Sequence, residues 1–200
     1  MQKDRVVRVL EGGPQSLLLC EHPKVITLGR LSKEQNLYLT KEQAVLKNIE
    51  IRPIDRGGDV TLHAPGQLVI YPILNLTNLG RDLKSYMARL EQVAIDLLND
   101  FGILAHRFDG RTGVWVDKEK IVSIGIGVKK WISYHGMGIN VNTDLNLFSH
   151  INPCGLNATM TSIQKIKNQK IDMNLVKKRV INHFQRIFEL GDIVANSFKS

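Results

Sequence analysis

The sequence is poor in cysteine. Its 200 residues contain two, Cys20 and Cys154, which excludes a disulfide framework as the source of stability and makes a reducing cytoplasm the expected compartment. No apolar run approaches the roughly 20 residues needed to cross a bilayer. The opening Met1-Gln2-Lys3-Asp4-Arg5 has no apolar core of a secretory signal. Internal repeats, low-complexity tracts and linkers are absent as well, so the length predicts one domain over residues 1–200. Neither zinc-finger spacing nor a basic stripe with interleaved aromatics occurs, and no nucleic-acid or membrane partner is expected.

What is present is an ordinary globular composition, 43% hydrophobic and 23% charged, with a formal net charge of +8. The positive charges are dispersed apart from modest clusters at Lys165-Ile166-Lys167 and Lys177-Lys178-Arg179. Such a surface suits an acidic protein partner, or is simply a solvated basic face.

Along the chain, residues 3–11 fit a helix through Val6, Val9 and Leu10, or a strand through Val7 and Val9. Leu17–Cys20 and Val25–Leu28 read as one buried strand kinked at Glu21-His22-Pro23, because proline cannot donate to a central ladder. Cys20 in this run is expected to be an inert buried thiol, and His22 structural. Thr40-Lys41-Glu42-Gln43 is a capping box opening a short helix to about Lys47, and Ile49–Arg52 is a strand. Residues 82–101 carry apolar residues at spacings of three and four, from Leu83 through Tyr86, Leu90, Val93 and Leu97 to Phe101, with Gly102 as a stop. Strands are predicted at Ile103–Phe108, Gly113–Asp117, Ile121–Val128, Trp131–Tyr134 and Met137–Val141. A last helix, N-capped by Asp172, carries Leu175, Val176, Val180, Phe184, Ile187 and Phe188. Strands interleaved with two long amphipathic helices predict an α/β (α+β) fold with a mixed sheet.

The densest chemistry lies in residues 56–72. Gly57 and Gly58 permit backbone angles closed to other residues and can turn NH groups toward a ligand, with Arg56 bringing a fixed charge to the entrance. In Asp59-Val60-Thr61-Leu62-His63, strand alternation puts Asp59, Thr61 and His63 on one face. Pro65-Gly66 turns the chain into a second strand, Gln67 to Tyr71. The stretch reads as glycine loop, strand, tight turn, strand, and composition alone also allows an ordinary hairpin.

Two further residues carry reactive groups. Lys120 opens the run Ile-Val-Ser-Ile-Gly-Ile-Gly. It is either a solvated lysine of the turn Asp117-Lys118-Glu119-Lys120, or is drawn into a dry site where it can act as a base. Cys154, between Pro153 and Gly155, suits an exposed thiol in a tight turn, and needs a neighbouring base or positive charge to act as a thiolate. Spacing by itself leaves both alternatives open.

Five blocks then appear in order over nearly the whole chain. They are Glu-His-Pro-x-Val-x-Thr-x-Gly-Arg from Glu21, Arg-Gly-Gly-x-x-Thr-x-His-x-Pro-Gly-Gln-Leu from Arg56, Lys-Ile-x-Ser-Ile-Gly from Lys120, His-Gly-x-x-x-Asn-Val from His135, and Pro-Cys-Gly from Pro153. Together they resemble the lipoyl(octanoyl) transferase family, the octanoyl-acyl carrier protein:protein N-octanoyltransferases. The departures are Ala64, where the family usually has glycine, and an N-terminus shorter than the family's usual start.

The resemblance implies a domain like the catalytic domain of biotin and lipoate protein ligases, with Cys154 and Lys120 as a catalytic dyad. It implies acyl-substrate contacts at Arg56, Gly57, Gly58, Asp59, Val60, Thr61, Leu62 and His63, at Ser123, Ile124 and Gly125, and at Gly136, Met137 and Gly138, with His135 shaping the pocket. It implies octanoyl-acyl carrier protein as donor. The acceptors would be the lipoyl domains of 2-oxoacid dehydrogenases and the glycine cleavage H protein, all acidic, and no cofactor or metal is implied. The rivals are an ATP-dependent lipoate or biotin protein ligase, an amidotransferase moving octanoyl groups between lipoyl domains, and a non-catalytic basic binding module. A ligase makes an acyl-adenylate and needs no nucleophilic cysteine, so Pro-Cys-Gly favours the transferase.

Overall fold

The computed structural model of the protein describes residues 1–153, 158–191 and 193–199. The chain runs α1 (Gln2–Leu10), β1 (Ser16–Glu21), β2 (Val25–Leu28), α2 (Lys41–Leu46), β3 (Glu50–Pro53), β4 (Val60–His63), β5 (Gln67–Ile73), α3 (Leu83–Asn99), β6 (His106–Phe108), β7 (Arg111–Val116), β8 (Glu119–Lys129), β9 (Ile132–Asn140), α4 (Ile163–Lys167), α5 (Met173–Phe188) and β10 (Val194–Lys199). The fold is a single mixed α/β domain. A seven-stranded sheet has the order β10-β1-β5-β9-β8-β7-β6, and a three-stranded sheet the order β3-β2-β4. The parallel pairs are β1 with β10 and β2 with β3.

The helices form where periodicity places them. Thr40 makes the reciprocal capping box with Gln43, and Asp82 and Asp172 accept backbone NH groups at the starts of α3 and α5. The apolar stripes of α3 and α5 bury Tyr86, Leu90, Val93, Leu97, Val176, Val180 and Phe184 against one face of the large sheet. Leu83, at the end of the α3 stripe, is exposed. Residues 2–10 take the helical alternative, with Val6 and Val9 buried and Leu10 exposed.

Two expectations about strands change. The kinked strand Leu17–Leu28 is two strands, since β1 lies in the large sheet and β2 in the small one. The stretch from 59 to 73 is also not a hairpin, because β4 pairs with β2 whereas β5 pairs with β1 and β9. In both places the chain crosses between sheets at a proline or glycine that cannot continue a ladder. Gly66 (φ +84) lies where a Cβ would strike the carbonyl of Asn142. Conversely, the separate strands expected at 131–134 and 137–141 are one, β9, joined to β8 by a two-residue turn with Lys130 and Trp131 both at positive φ. Strand β10 was not foreseen.

The second face of the large sheet is divided. α1 covers Leu18, Ile73, Ile132 and Tyr134. The three-stranded sheet faces the part around Ser123, Gly125, Gly136 and Gly138, with its own core of Ile26, Val60 and Leu62 turned away from the large sheet. The surface between the two sheets is where the motif residues meet.

Candidate active site

Alternation on β8 and β9 builds a floor almost free of side chains. Ser123 pairs with Gly138 and Gly125 with Gly136, and all four share the sheet face opposite α3 and α5. The intervening Ile124 and Met137 also reach the cavity, while their side chains belong to the helix-side core. The floor is tight. A Cβ on Gly138 would come within 3.0 Å of Gln67 Oε1, and one on Gly125 within 2.9 Å of the Gly57 carbonyl oxygen.

The small sheet supplies the opposite wall. Thr27 and Thr61 are cross-strand partners, as are Val25 and His63, so Thr27, Thr61 and His63 form the polar row facing the floor. A narrow cavity of ≈ 60 Å³ lies between. It shares Ile54, Tyr71 and His135 with a wider cavity of ≈ 920 Å³ that reaches Cys20, His22, Asp55 and the start of α1.

Of the substrate contacts carried over by resemblance, Arg56, Gly58, Thr61, His63, Ser123, Ile124, Gly125, Gly136, Met137 and Gly138 line the narrow cavity, together with His135. Gly57, Asp59, Val60 and Leu62 stand behind the wall. Gly57 donates its NH to the carbonyl of Ile126 at 2.8 Å. Asp59 is used by its own loop, accepting from Asn36, from Lys33 N at 3.2 Å and from Val60 N at 2.8 Å. Val60 and Leu62 alternate into the small sheet's core. Arg56 is not a charge at an open entrance: it is 7% exposed. Its guanidinium donates to the Thr27 carbonyl at 2.8 Å, to Thr27 Oγ1 and to the Gly57 carbonyl. The cavity residues not assigned from sequence are Thr27, Ile54, Val69 and Tyr71. Thr27 was legible inside the Glu-His-Pro block, and Val69 and Tyr71 follow from alternation once β5 is known to lie beside β9.

Lys120 is on this face because of a β-bulge. Val114 pairs with Val122 but Trp115 pairs with Lys120, so Ile121 is an extra residue on β8. Ile121 and Val122 both enter the helix-side core. Lys120 is thereby turned to the face of Ser123, which regular alternation would deny it. It is 1% exposed, with Nζ 5.5 Å from the Trp115 ring and its side chain lying over Gly113. The backbone is clamped on both sides, Lys120 N donating to Thr159 O at 2.8 Å and Thr161 N to Lys120 O at 2.9 Å. Of the two sequence readings, the solvated turn lysine is thus the one the structure rejects. Cys154 lies outside the described residues, so its distance from Lys120 is not part of this geometry.

The histidines differ in environment. His63 Nδ1 lies 2.6 Å from Gln67 Oε1, and burial pushes its pKa down from 6.5 to about 4. His135 Nε2 is 2.8 Å from Asp55 Oδ1, and that hydrogen bond holds the Asp55 carboxyl down at about 2. Its backbone is in the left-handed region (φ +56), which swings the ring to the cavity side although its strand neighbours Tyr134 and Gly136 also face that side. His22 Nε2 is 2.7 Å from the Tyr71 hydroxyl and 3.4 Å from Cys20 Sγ. Burial raises the Cys20 thiol to about 12, in keeping with an inert thiol. Ala64 is fully buried with φ outside the left-handed region, so the methyl group costs the backbone nothing there.

The depressed His63 value gives a stability prediction. The unfolded chain takes up this proton near pH 6.5 and the folded chain only near 4. Stability contributed by the neutral ring is therefore complete above about pH 6.5 and is lost as pH falls toward 4. The 2.5-unit gap (6.5 − 4) sets an upper bound of about 3 kcal/mol. Positive charge on Arg56, His22 and His135 works in the same direction. Urea unfolding of wild type and His63→Asn at pH 7 and pH 4.5 should show the wild type losing up to that much more over the interval. Equal losses would place the His63 pKa near its ordinary value.

A cavity floored by glycine and walled by a buried guanidinium and a neutral imidazole lies between the two sheets of an α/β domain, with a buried lysine on the same face of the large sheet. By sequence profile, residues 3–185 match the lipoyl protein ligase A/B catalytic domain, and the chain belongs to that family. It is 46% identical to the octanoyltransferase of Syntrophotalea carbinolica over 190 residues, covering 94% of this chain and 87% of that protein. It is likewise 46% identical to the octanoyltransferase of Caldicellulosiruptor saccharolyticus over 191 residues, covering 94% and 80%. Among solved structures, an archaeal bipartite lipoate protein ligase from Thermoplasma acidophilum superposes with a TM-score of 0.71 at 12% identity, covering 98% of this chain and 83% of that one. The biotin protein ligase of Aquifex aeolicus gives 0.51 at 18% identity, covering 62% and 53%. At these identities the two structures speak for the fold alone, and it is the one expected from the motif blocks.

Proposed function

We propose that the protein is an acyltransferase that moves an octanoyl group from octanoyl-acyl carrier protein to a lysine of lipoyl domains, through a thioester on Cys154, in the first step of endogenous lipoate synthesis. The observation that carries this reading is the convergence of the motif blocks starting at Glu21, Arg56, Lys120 and His135 on one cavity and its border, in a chain whose curated relatives are octanoyltransferases. Lys120 takes the thiol proton of Cys154, the thiolate attacks the donor thioester carbonyl, and as the bond from that carbon to the carrier-protein sulfur breaks the departing sulfur receives the proton from Lys120. Exchange between two sulfurs is nearly neutral in energy, so no nucleotide is consumed. Backbone NH groups near the glycine motifs, other than that of Gly57, which is spent on Ile126, hold the oxyanion. The acceptor amine then attacks the acyl-enzyme, Cys154 leaves as a thiolate while Lys120 takes the amine proton, and the amide formed makes this second step strongly downhill. The acceptors are the lipoyl domains of 2-oxoacid dehydrogenases and the glycine cleavage H protein. Their acidity, with that of the carrier protein, matches the +8 charge through electrostatic steering. We place the reaction in the cytoplasm. Among the described residues no helix is long and apolar enough to cross a membrane.

The test is intact-mass spectrometry after mixing the protein with octanoyl-acyl carrier protein. One octanoyl adduct should appear, disappear with hydroxylamine, and pass to an added lipoyl domain without ATP. Lipoate-dependent ATP–pyrophosphate exchange in place of the adduct would instead identify a ligase.

A further inference from the structure

The narrow cavity has a direction. Along β8, Lys120 comes first on the shared face, then Ser123 beside Gly138, then Gly125 beside Gly136, and His135 stands one pair further on, opposite Ile126. On β5, Val69 is opposite Gly138, so Tyr71 lies two residues further from the Lys120 end. Ile54, Tyr71 and His135 line both cavities. The narrow cavity therefore opens into the wide one at the end remote from Lys120, between these three side chains.

The two rings at this opening are tied in place. The Tyr71 hydroxyl lies 2.7 Å from His22 Nε2. His135 Nε2 lies 2.8 Å from Asp55 Oδ1, and Asp55 is also reached by the Tyr134 hydroxyl at 3.3 Å and by Lys3 Nζ at 3.5 Å. The rings of Tyr71 and His135 meet edge to face, with centroids 6.4 Å apart. Beyond them there is room. Among the described residues the cavity of ≈ 920 Å³ has buried Leu18 and Cys20 in its wall and exposed Lys3, Asp4 and Arg30 at its rim.

From Ser123 to Ile126 the strand rises about 10 Å, roughly the length of an extended eight-carbon acyl chain. We infer that Tyr71 and His135 set the acyl chain length. With the acyl carbonyl at the Lys120 end, their rings meet the terminal methyl group of an octanoyl chain and bar longer chains from the wide cavity. This rests on the octanoyl-transfer reading above. A longer chain has to displace two hydrogen-bonded rings, and a shorter one forgoes the burial of methylene groups. The limit on length is thus the pair of rings and not a lack of space behind them.

The test is a competition. Wild type and variants receive an equimolar mixture of hexanoyl-, octanoyl-, decanoyl- and dodecanoyl-acyl carrier protein with a lipoyl domain. Mass spectrometry then reads the acyl distribution on the lipoyl domain, a ratio that does not depend on how much of a variant folds. Wild type should make mainly the octanoyl product. Tyr71→Ala removes one ring. His135→Gly removes the other, at a position (φ +56) where glycine costs the backbone nothing. Each should raise the ratio of decanoyl and dodecanoyl product to octanoyl product by about 10-fold or more. Tyr71→Phe keeps the ring and should shift the ratio far less than Tyr71→Ala. Unchanged ratios in both ring-removing variants, a shift in Tyr71→Phe as large as in Tyr71→Ala, or a wild type that transfers dodecanoyl as readily as octanoyl would each overturn the inference. If no acyl group of any length is transferred, it is the octanoyl-transfer reading that fails. The binding of decanoate relative to octanoate by wild type and Tyr71→Ala then still decides the chain-length stop, and an unchanged ratio overturns it.

Discussion

Cys154→Ala should form no octanoyl adduct and should lose transfer by at least about 10³-fold, as expected when a covalent nucleophile is removed. Cys20 cannot substitute. It is buried in β1, and burial raises its thiol to about 12, so almost no thiolate exists at neutral pH. Cys154→Ser should fail nearly as completely, because a hydroxyl is far harder to deprotonate than a thiol. Intact mass and a single-turnover assay read both variants. An adduct that persists in Cys154→Ala, together with continued transfer, would rule out the covalent route through this residue. A serine variant at wild-type rate would show that thiolate formation is not what the site provides.

Lys120→Arg should retain positive charge and still lose about 10²-fold or more in turnover, since a guanidinium stays protonated and cannot pass a proton to and fro. Two effects are separable. Lys120 is sealed against Gly113 and Trp115, so the larger arginine head also crowds the bulge. Lys120→Met keeps the stem's length without charge or crowding. Both variants should be slow in acylation, and iodoacetamide should alkylate Cys154 more slowly in Lys120→Met than in wild type at pH 7. Near-full activity in Lys120→Arg would reduce Lys120 to an electrostatic partner. Unchanged alkylation in Lys120→Met would remove it from the thiol altogether.

Much of this site was legible from residue order. The apolar stripe of α3, the capping box at Thr40 and the Asp172 cap rest on contacts three or four residues apart, and local spacing is enough to set them. The motif strings also named most of the cavity. Within residues 56–63, Arg56, Gly58, Thr61 and His63 line it, whereas Gly57, Asp59, Val60 and Leu62 support it. A string cannot tell lining from support, because that difference is which side of the small sheet a side chain takes and what covers each side.

The sequence by itself determined the reactive inventory, a thiol in Pro-Cys-Gly, a lysine opening an apolar run and glycines at alternate positions, together with the helices and the family pattern. Only the tertiary structure decided that β1 and β2, and β4 and β5, belong to different sheets, because strand pairing is a contact between distant residues that neighbours in sequence cannot specify. Only it turned Lys120 inward, through one unpaired residue at Ile121 that reverses the alternation and buries a lysine side chain a turn sequence would leave in water. The place of His63 was likewise set by Gln67, whose Oε1 lies 2.6 Å from Nδ1, and that of Gln67 by Asn140, which donates to the carbonyl of Thr161. These partners are distant in sequence and come together only when the two sheets close.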